Sequence, residues 1–156
     1  MTEDGVRDDV KDSPIGWVHR HIRQYVESGG EKGHEWRPRV PTLLLTTIGR
    51  RTGNRYRTAL IYGRDGDDYV VVGSKGGSHR HPAWFLNLTA NPRVDVQVGP
   101  EKFPAVAGVA EGAKRKRLWA MMNRIWPSYE SYQQRTNREI PVVVLRRGDA
   151  GHGEGA

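Results

Sequence analysis

The sequence predicts a mixed α+β domain, mainly β, centred on a small barrel of about six mostly antiparallel strands. Three observations point there. Short apolar runs recur between residues 40 and 145, each bounded by Gly, Pro, Asn or Asp. Helical patterning is confined to brief stretches and never settles into the strand–helix alternation of a parallel sheet. The chain of 156 residues is long enough for one domain with a buried core.

The elements follow in order. Ile15, Val18, Ile22, Tyr25 and Val26 share one arc of a helical wheel, and Ser13-Pro14 suits a helix start, so residues 14–27 are expected to form an amphipathic helix. Trp17 lies off that arc, which makes it an exposed residue capping a pocket or meeting a membrane surface. Val40 to Thr47 holds Leu43-Leu44-Leu45, a run suited to a buried strand. Thr58 to Gly63 and Tyr69 to Gly73 flank Arg64-Asp65-Gly66-Asp67, whose Asp-Gly pair signals a hairpin. Pro82 to Ala90 reads as a short helix stopped by Asn91-Pro92. Val94, Val96 and Val98 alternate with polar residues as a half-buried strand. Phe103 to Ala110 is another strand, with Pro104 marking an edge or bulge. Gly112 to Trp126 is a helix, Pro127 opens a second one running to about Arg138, and Pro141 to Leu145 is the closing strand. Residues 1–12 and 148–156 are expected to be disordered tails around a folded unit at 13–147, since neither holds enough apolar surface to offset chain entropy.

Composition narrows the function classes. The chain has no cysteine, which excludes disulfide frameworks and thiolate metal sites. No apolar run reaches membrane-span length and no signal-peptide pattern opens the sequence, so a cytoplasmic protein is expected, with peripheral membrane association as an alternative. The formal charge is +7, from 25 Lys and Arg against 18 Asp and Glu, and implies an anionic partner. His19, His21, His79 and His81 occur as two pairs around arginines, too few converging ligands for a metal, and no metal site is expected. Lys114-Arg115-Lys116-Arg117 sits in the first turn of a helix, where the dipole disfavours cations; it reads as a solvated face or as a contact with an anionic membrane, and nucleic acid is the less favoured partner.

The sharpest motif is Gly49-Arg50-Arg51-Thr52-Gly53, followed by Arg55 and Arg57. Two glycines bracket a turn that leaves a strand, and the guanidinium groups suit phosphate or carboxylate. It lacks the spacing of a phosphate-binding Walker loop. Gly73-Ser74-Lys75-Gly76-Gly77 follows the next strand pair and suits a backbone nest beneath a lysine. Trp126, Tyr129 and Tyr132 recur every third residue, as a packing stripe or as the wall of a pocket for a flat ring.

Taken in order, Thr46-Thr47-Ile48-Gly49-Arg50-Arg51-Thr52-Gly53, Ser74-Lys75-Gly76-Gly77, Pro82-Ala83-Trp84-Phe85-Leu86-Asn87-Leu88-Thr89-Ala90-Asn91-Pro92, Pro127-Ser128-Tyr129 with Tyr132, and Ile140 to Val144 resemble the deazaflavin-dependent nitroreductase family over about residues 38–146. The resemblance implies a split β-barrel of the FMN-binding-protein type that binds coenzyme F420, a deazaflavin with a phosphate and an oligoglutamate tail. By position, Arg50, Arg51 and Lys75 would meet phosphate and tail, and Thr52 would be a further cofactor contact. Tyr56, Arg57, Thr58, Ala59, Leu60, Ile61, Val72, Gly73, Ser74, Ala83, Trp84, Phe85, Leu86 and Asn87 would border the cofactor. Trp126, Tyr129 and Tyr132 would line the acceptor side, with Tyr129 and Ser74 as the catalytic hydroxyls. Arg55 and Arg57 flank the place where many relatives carry a Pro-Arg pair, so which of them meets the tail stays open. Trp126 stands where nitroimidazole-activating members carry tyrosine. The implied reaction is hydride transfer to a quinone or nitroaromatic acceptor. A binding or carrier protein without reductase activity, and FMN as the cofactor, are the alternatives.

Overall fold

The Leu43-Leu44-Leu45 run is buried on both faces of its strand, and the architecture follows from that. A computed structural model describes residues 10–148. Its strands are β1 (Val10–Asp12), β2 (Glu35–Arg37), β3 (Val40–Ile48), β4 (Arg55–Ile61), β5 (Gly63–Asp65), β6 (Asp68–Val72), β7 (Arg93–Val98), β8 (Glu101–Val109) and β9 (Val142–Arg147). Its helices are α1 (Gly16–Glu27), α2 (Ala83–Ala90), α3 (Gly112–Ile125) and α4 (Ser128–Gln134). Leu43 and Leu45 point into a central core with Val71, Phe103, Val143 and Leu145. Leu44 points the other way, onto Val18, Ile22 and Tyr25 of α1. Strands β6 and β9 repeat the device: Val70, Val72, Val142 and Val144 turn outward to meet Leu118, Met122 and Tyr129 of the C-terminal helices. A strand buried on both sides has no polar face to show, hence its continuous apolar run.

The sheet has nine strands in the order β1-β4-β3-β7-β8-β9-β6-β5, with β2 attached to β3. All neighbouring pairs are antiparallel except β1 with β4. The six expected strands correspond to β3, β4, β6, β7, β8 and β9. The count is corrected by three short strands, each of three residues. The sheet is also not closed, because β4 and β6 approach one another without pairing.

Four other expectations change. Val10 to Asp12, assigned to a disordered tail, form a strand because Asp12 accepts from Arg57 Nε at 2.6 Å and the backbone pairs with Arg55 to Arg57; the remainder of both tails, residues 1–9 and 149–156, lies outside the described residues. The Asp-Gly hairpin joins β5 to β6 rather than β4 to β6. The chain breaks at Tyr62, where the Tyr62 N–H still bonds Pro41 of the β3 side, and Gly63 passes so close to Met122 that a Cβ there would lie 2.8 Å from its sulfur. Pro104 is on an interior strand in regular register with Asp95, and its missing N–H is harmless because the β9 ladder begins only at Ala105. Helix α4 stops at Gln134, whose neighbour Gln133 then bonds Arg138 O and Ile140 N and shapes a turn.

Tyr25 ties α1 to the sheet. Its hydroxyl accepts from Gly99 N–H at 2.7 Å and donates to Thr42 O at 3.0 Å, and burial pushes the phenol up to about 12. Ile15 is the exception on the expected arc: it precedes the helix and stays exposed. Two members of the basic run gain structural partners. Arg117 grips both carboxylate oxygens of Asp65, and Arg115 donates to Ile140 O at 2.6 Å. Among the described residues, no helix is long and apolar enough to cross a membrane.

Candidate active site

The gap between β4 and β6 opens into a cavity of about 810 Å³, within the size range of cofactor sites. Strand geometry supplies its floor. Ser13 N–H bonds Arg57 O on the outer edge of β4, and Tyr62 N–H bonds Pro41 O on the β3 side. Backbone groups alternate along a strand, so Ala59 and Ile61 share the outer orientation of Arg57. The β1 ladder covers that edge only at Arg55 to Arg57. Beyond it, Ala59 and Ile61 offer N–H and C=O groups to whatever flat, amide-like edge enters the cavity, and both residues line it.

Part of the cavity wall is cationic. Arg50 and Arg51 project from the turn after β3 and line the cavity with Lys75. Among the described residues, no carboxylate pairs with any of the three, whereas Arg23, Arg55, Arg57, Arg115, Arg117, Arg146 and Arg147 all have one. Two glycines shape the turn for different reasons. Gly49 lies under Tyr56, where a Cβ would come within 2.5 Å of the ring, and Gly53 adopts φ +75°. Asn87 of α2 fixes the turn from behind. Its Oδ1 accepts from the Arg50 backbone N–H and from Arg50 Nη1, both at 3.2 Å, while its Nδ2 donates to the fully buried Thr47 Oγ1. A polar residue in an apolar helix is thereby explained.

The second loop is held in an uncommon conformation. Ser74 is right-handed helical and Lys75 sits at φ +46°, a sequence that turns successive N–H groups toward one point. Arg138 maintains it. Nε donates to Ser78 O at 2.8 Å, Nη1 to Gly73 O at 3.1 Å and Nη2 to Ser74 O at 2.7 Å. Nη1 also donates to His81 Nδ1 at 3.0 Å, which requires that nitrogen to be unprotonated. Burial, and then the Arg138 charge, hold His81 below the usual imidazole value. Burial does the same to His21 despite its bond to Gly33 O. The unfolded chain therefore binds more protons than the folded one below the ordinary histidine pKa of about 6.5. Stability is expected to be full above that pH and to fall as the pH drops through the folded values. Thermal melts between about pH 7.5 and 5.5 check this; a His81→Gln variant should show a shallower dependence, and an identical one would remove His81 from the account.

A further stretch of the wall is aromatic. Tyr129 is 4% exposed and its hydroxyl bonds no described residue, although it lines the cavity. Burial, then Tyr132, raise its pKa well above the ordinary phenol value, which keeps the hydroxyl protonated. Ser74 Oγ likewise lacks a partner among the described residues and faces the same space. Trp126 Nε1 lies 3.4 Å from Tyr132 Oη, and the Tyr129 and Tyr132 rings meet edge-on at 6.2 Å.

Most of the sequence-predicted site residues converge here: Arg50, Arg51, Thr52, Tyr56 to Ile61, Val72, Ser74, Lys75, Ala83, Trp84, Asn87, Trp126, Tyr129 and Tyr132. Three do not. Phe85 and Leu86 pack on the central core, and Gly73 is pressed against Pro141. Arg55 points to Asp95 beside a separate cleft, and Arg57 lines the cavity while bound to Asp12. The cap that Trp17 offered as one of two alternatives is part of a wider wall, the rest of which the sequence did not indicate. Lys11 to Ile15, with Trp17, Val18 and His21 of α1, roof the cavity, and Trp36 of β2 joins them. The off-arc Trp17 was a signal for that roof; Trp36 carried none.

The geometry agrees with the comparisons to known proteins. The chain matches the F420H(2)-dependent quinone reductase family over residues 17–147. It is 41% identical to an F420H(2)-dependent quinone reductase of Mycobacterium tuberculosis, an alignment covering 84% of this chain and 96% of that protein. Among solved structures it resembles the F420-H2 dependent reductase FDR-A, with a TM-score of 0.64 and 36% identity over 68% of this chain and 94% of that one. It also resembles a chain solved as a domain-swapped dimer, with a TM-score of 0.67 and 33% identity over 86% of this chain and 100% of that one. Quinone reductase replaces nitroreductase as the family description, and the protein belongs to the F420H(2)-dependent quinone reductase family.

Proposed function

We propose that this chain reduces a quinone by hydride transfer from F420H2 held in the split between β4 and β6 of a split β-barrel. One observation carries the reading: three cations without a carboxylate partner and two hydroxyls without a hydrogen-bond partner among the described residues line one continuous cavity. The residues present fit the cofactor. Arg50, Arg51, the Lys75 nest and Thr52 suit its phosphate and glutamates, and the open edge at Ala59 and Ile61 suits the amide-like edge of its ring. When bound, reduced F420 supplies the hydride, and the protein supplies binding, orientation and electrostatics.

A quinone that accepts hydride develops an oxyanion. Tyr129, kept protonated by burial, donates a hydrogen bond to that oxygen, and the Ser74 hydroxyl, which lines the same cavity, offers a second donor. The hydroquinone's proton comes from solvent, because the raised phenol pKa makes net proton loss by Tyr129 costly. Trp126 and Tyr132 hold the ring flat and exclude water. Nitroaromatic acceptors have the same flat shape and develop charge on oxygen, so the same donors would serve them.

Tyr129→Phe is expected to lower kcat with F420H2 and menadione roughly 100-fold, with F420 affinity retained. Cofactor oxidation in the visible range measures the first and fluorescence titration the second. Unchanged turnover would remove Tyr129 from the mechanism.

A further inference from the structure

His21 of α1 lines the cavity with one ring nitrogen tied to the protein and the other untied. Its Nε2 lies 3.1 Å from Thr42 Oγ1. That hydroxyl gives its own hydrogen to Gly33 O at 2.6 Å, so it accepts from His21. Nε2 therefore carries the ring hydrogen, and Nδ1 keeps a lone pair. Nδ1 bonds no described residue, yet it is not sealed from solvent.

Strand β3 sets this imidazole beside the open strand edge. Thr42 is buried and pairs across the ladder with Ile61, while Leu44 pairs with Ala59. Leu44 and Ala59 both pack on Val18, Ile22 and Tyr25, which holds α1 over those two rungs. His21 thus roofs the stretch of cavity whose floor offers the unspent N–H and C=O groups of Ala59 and Ile61. Around it stand Tyr25 on the same helix, with ring centroids 6.2 Å apart, and His34, whose carbonyl also meets the Thr42 hydroxyl. Lys11 and Asp12 of β1 and Arg57 of β4 line the same cavity. Its other titratable groups are Arg50, Arg51, Tyr56, Lys75, Tyr129 and Tyr132. Asp12 is the one carboxylate in this set, and it is spent on Arg57 and Arg23. Nothing there holds His21 as an imidazolium, and burial favours the neutral ring.

We propose that His21 is the general base that takes up, at Nδ1, the proton that reduced F420 must lose along with its hydride. This rests on the quinone reductase reading above. The reduced and oxidised cofactor differ by two hydrogens. Hydride transfer to the quinone removes one of them with both electrons, and the other leaves as a proton from an N–H of the amide-like edge. His21 accepts that proton, becomes an imidazolium and passes it to solvent. The hydroquinone oxygen takes one proton from solvent, so the two transfers balance. Thr42 and Gly33 fix the tautomer that leaves Nδ1 basic, the service a carboxylate gives the histidine of a catalytic triad.

Two measurements test this. In the free wild-type protein, nitrogen NMR shifts of the His21 ring at about pH 7.5 are expected to report hydrogen on Nε2 and none on Nδ1. Hydrogen on Nδ1 would overturn the proposal, and this readout needs no variant to fold. With F420H2 and menadione, wild-type kcat is expected to fall as the pH drops below about 6.5, because a protonated His21 cannot accept. His21→Gln is expected to lose roughly 100-fold in kcat at about pH 7.5, to lose the acid limb, and to recover with added imidazole. Its F420 affinity by fluorescence titration is expected to stay close to wild type. His81 is intact in both proteins, so the limb that disappears belongs to His21. An unaltered kcat, an acid limb retained in the folded variant, or no recovery with imidazole would overturn the assignment. Failure of wild type to oxidise F420H2 with menadione would overturn the quinone reading instead, and the base with it.

Discussion

Replacing Arg51 and Lys75 together by alanine is expected to weaken F420 binding by about 100-fold, while a deazaflavin lacking the phosphate and glutamates binds almost as before. A hydrogen bond between charged groups contributes about 1.5–3 kcal/mol, or roughly tenfold to a hundredfold in affinity. Both side chains are exposed and screened, so the lower end applies to each. The two losses multiply because the cations sit on separate loops. Arg51 leaves the β3–β4 turn and Lys75 the loop after β6, and only a ligand crossing the gap touches both. The double substitution leaves the core intact, since neither residue has a protein carboxylate partner among the described residues. Fluorescence titration with the two deazaflavins, repeated at low and high salt, is the measurement. Wild-type affinity for F420 is expected to fall with salt and the variant's to be flatter. Equal weakening for both ligands would show that the cations act on the fold and not on the tail.

Arg138→Met is expected to destabilise the protein by about 2–4 kcal/mol and to raise the KM for F420H2 at the same time. The substitution removes the donors to Gly73 O, Ser74 O and Ser78 O together, and each carbonyl left short of a partner costs about 1–3 kcal/mol before water relieves it. Arg138→Lys is expected to recover only part of the loss, because one ammonium nitrogen cannot span carbonyls that three separate guanidinium nitrogens reach. Chemical denaturation gives the stability, and steady-state kinetics the KM. A stability loss with an unaltered KM would make Arg138 a purely structural residue.

That Arg138 matters was not legible in the sequence. It was assigned to the end of a helix, and its partners lie some sixty residues earlier in a glycine-rich loop. Carbonyl–guanidinium contacts leave no spacing signature, because a backbone oxygen is offered by every residue type. Asn87 was visible as a polar intrusion in an apolar helix, yet its target, the Arg50 turn, was not. By contrast, the turn itself was readable, since only glycine tolerates both the close approach at position 49 and φ +75° at position 53. Strands β3, β6 and β9 were readable because two-sided burial leaves dense apolar runs, and β7 because its valines alternate with polar residues. Strands β1, β2 and β5 were not, because three residues hold no period. With β1 went the roof of the cavity: Asp12 looked like one more acid in a polar tail until its partner Arg57 was brought beside it.

The outward-facing backbone of Ala59 and Ile61 has a consequence for handling the protein. A strand edge with unspent N–H and C=O groups is a template for another chain. Among the described residues no strand pairs this edge beyond β1, and a molecule that fills the split would occupy it. Preparations stripped of cofactor should therefore self-associate through β4, and saturation with F420 should reverse the tendency. The ligand thus doubles as the barrel's missing staple, protecting the chain from its own copies before any electron moves.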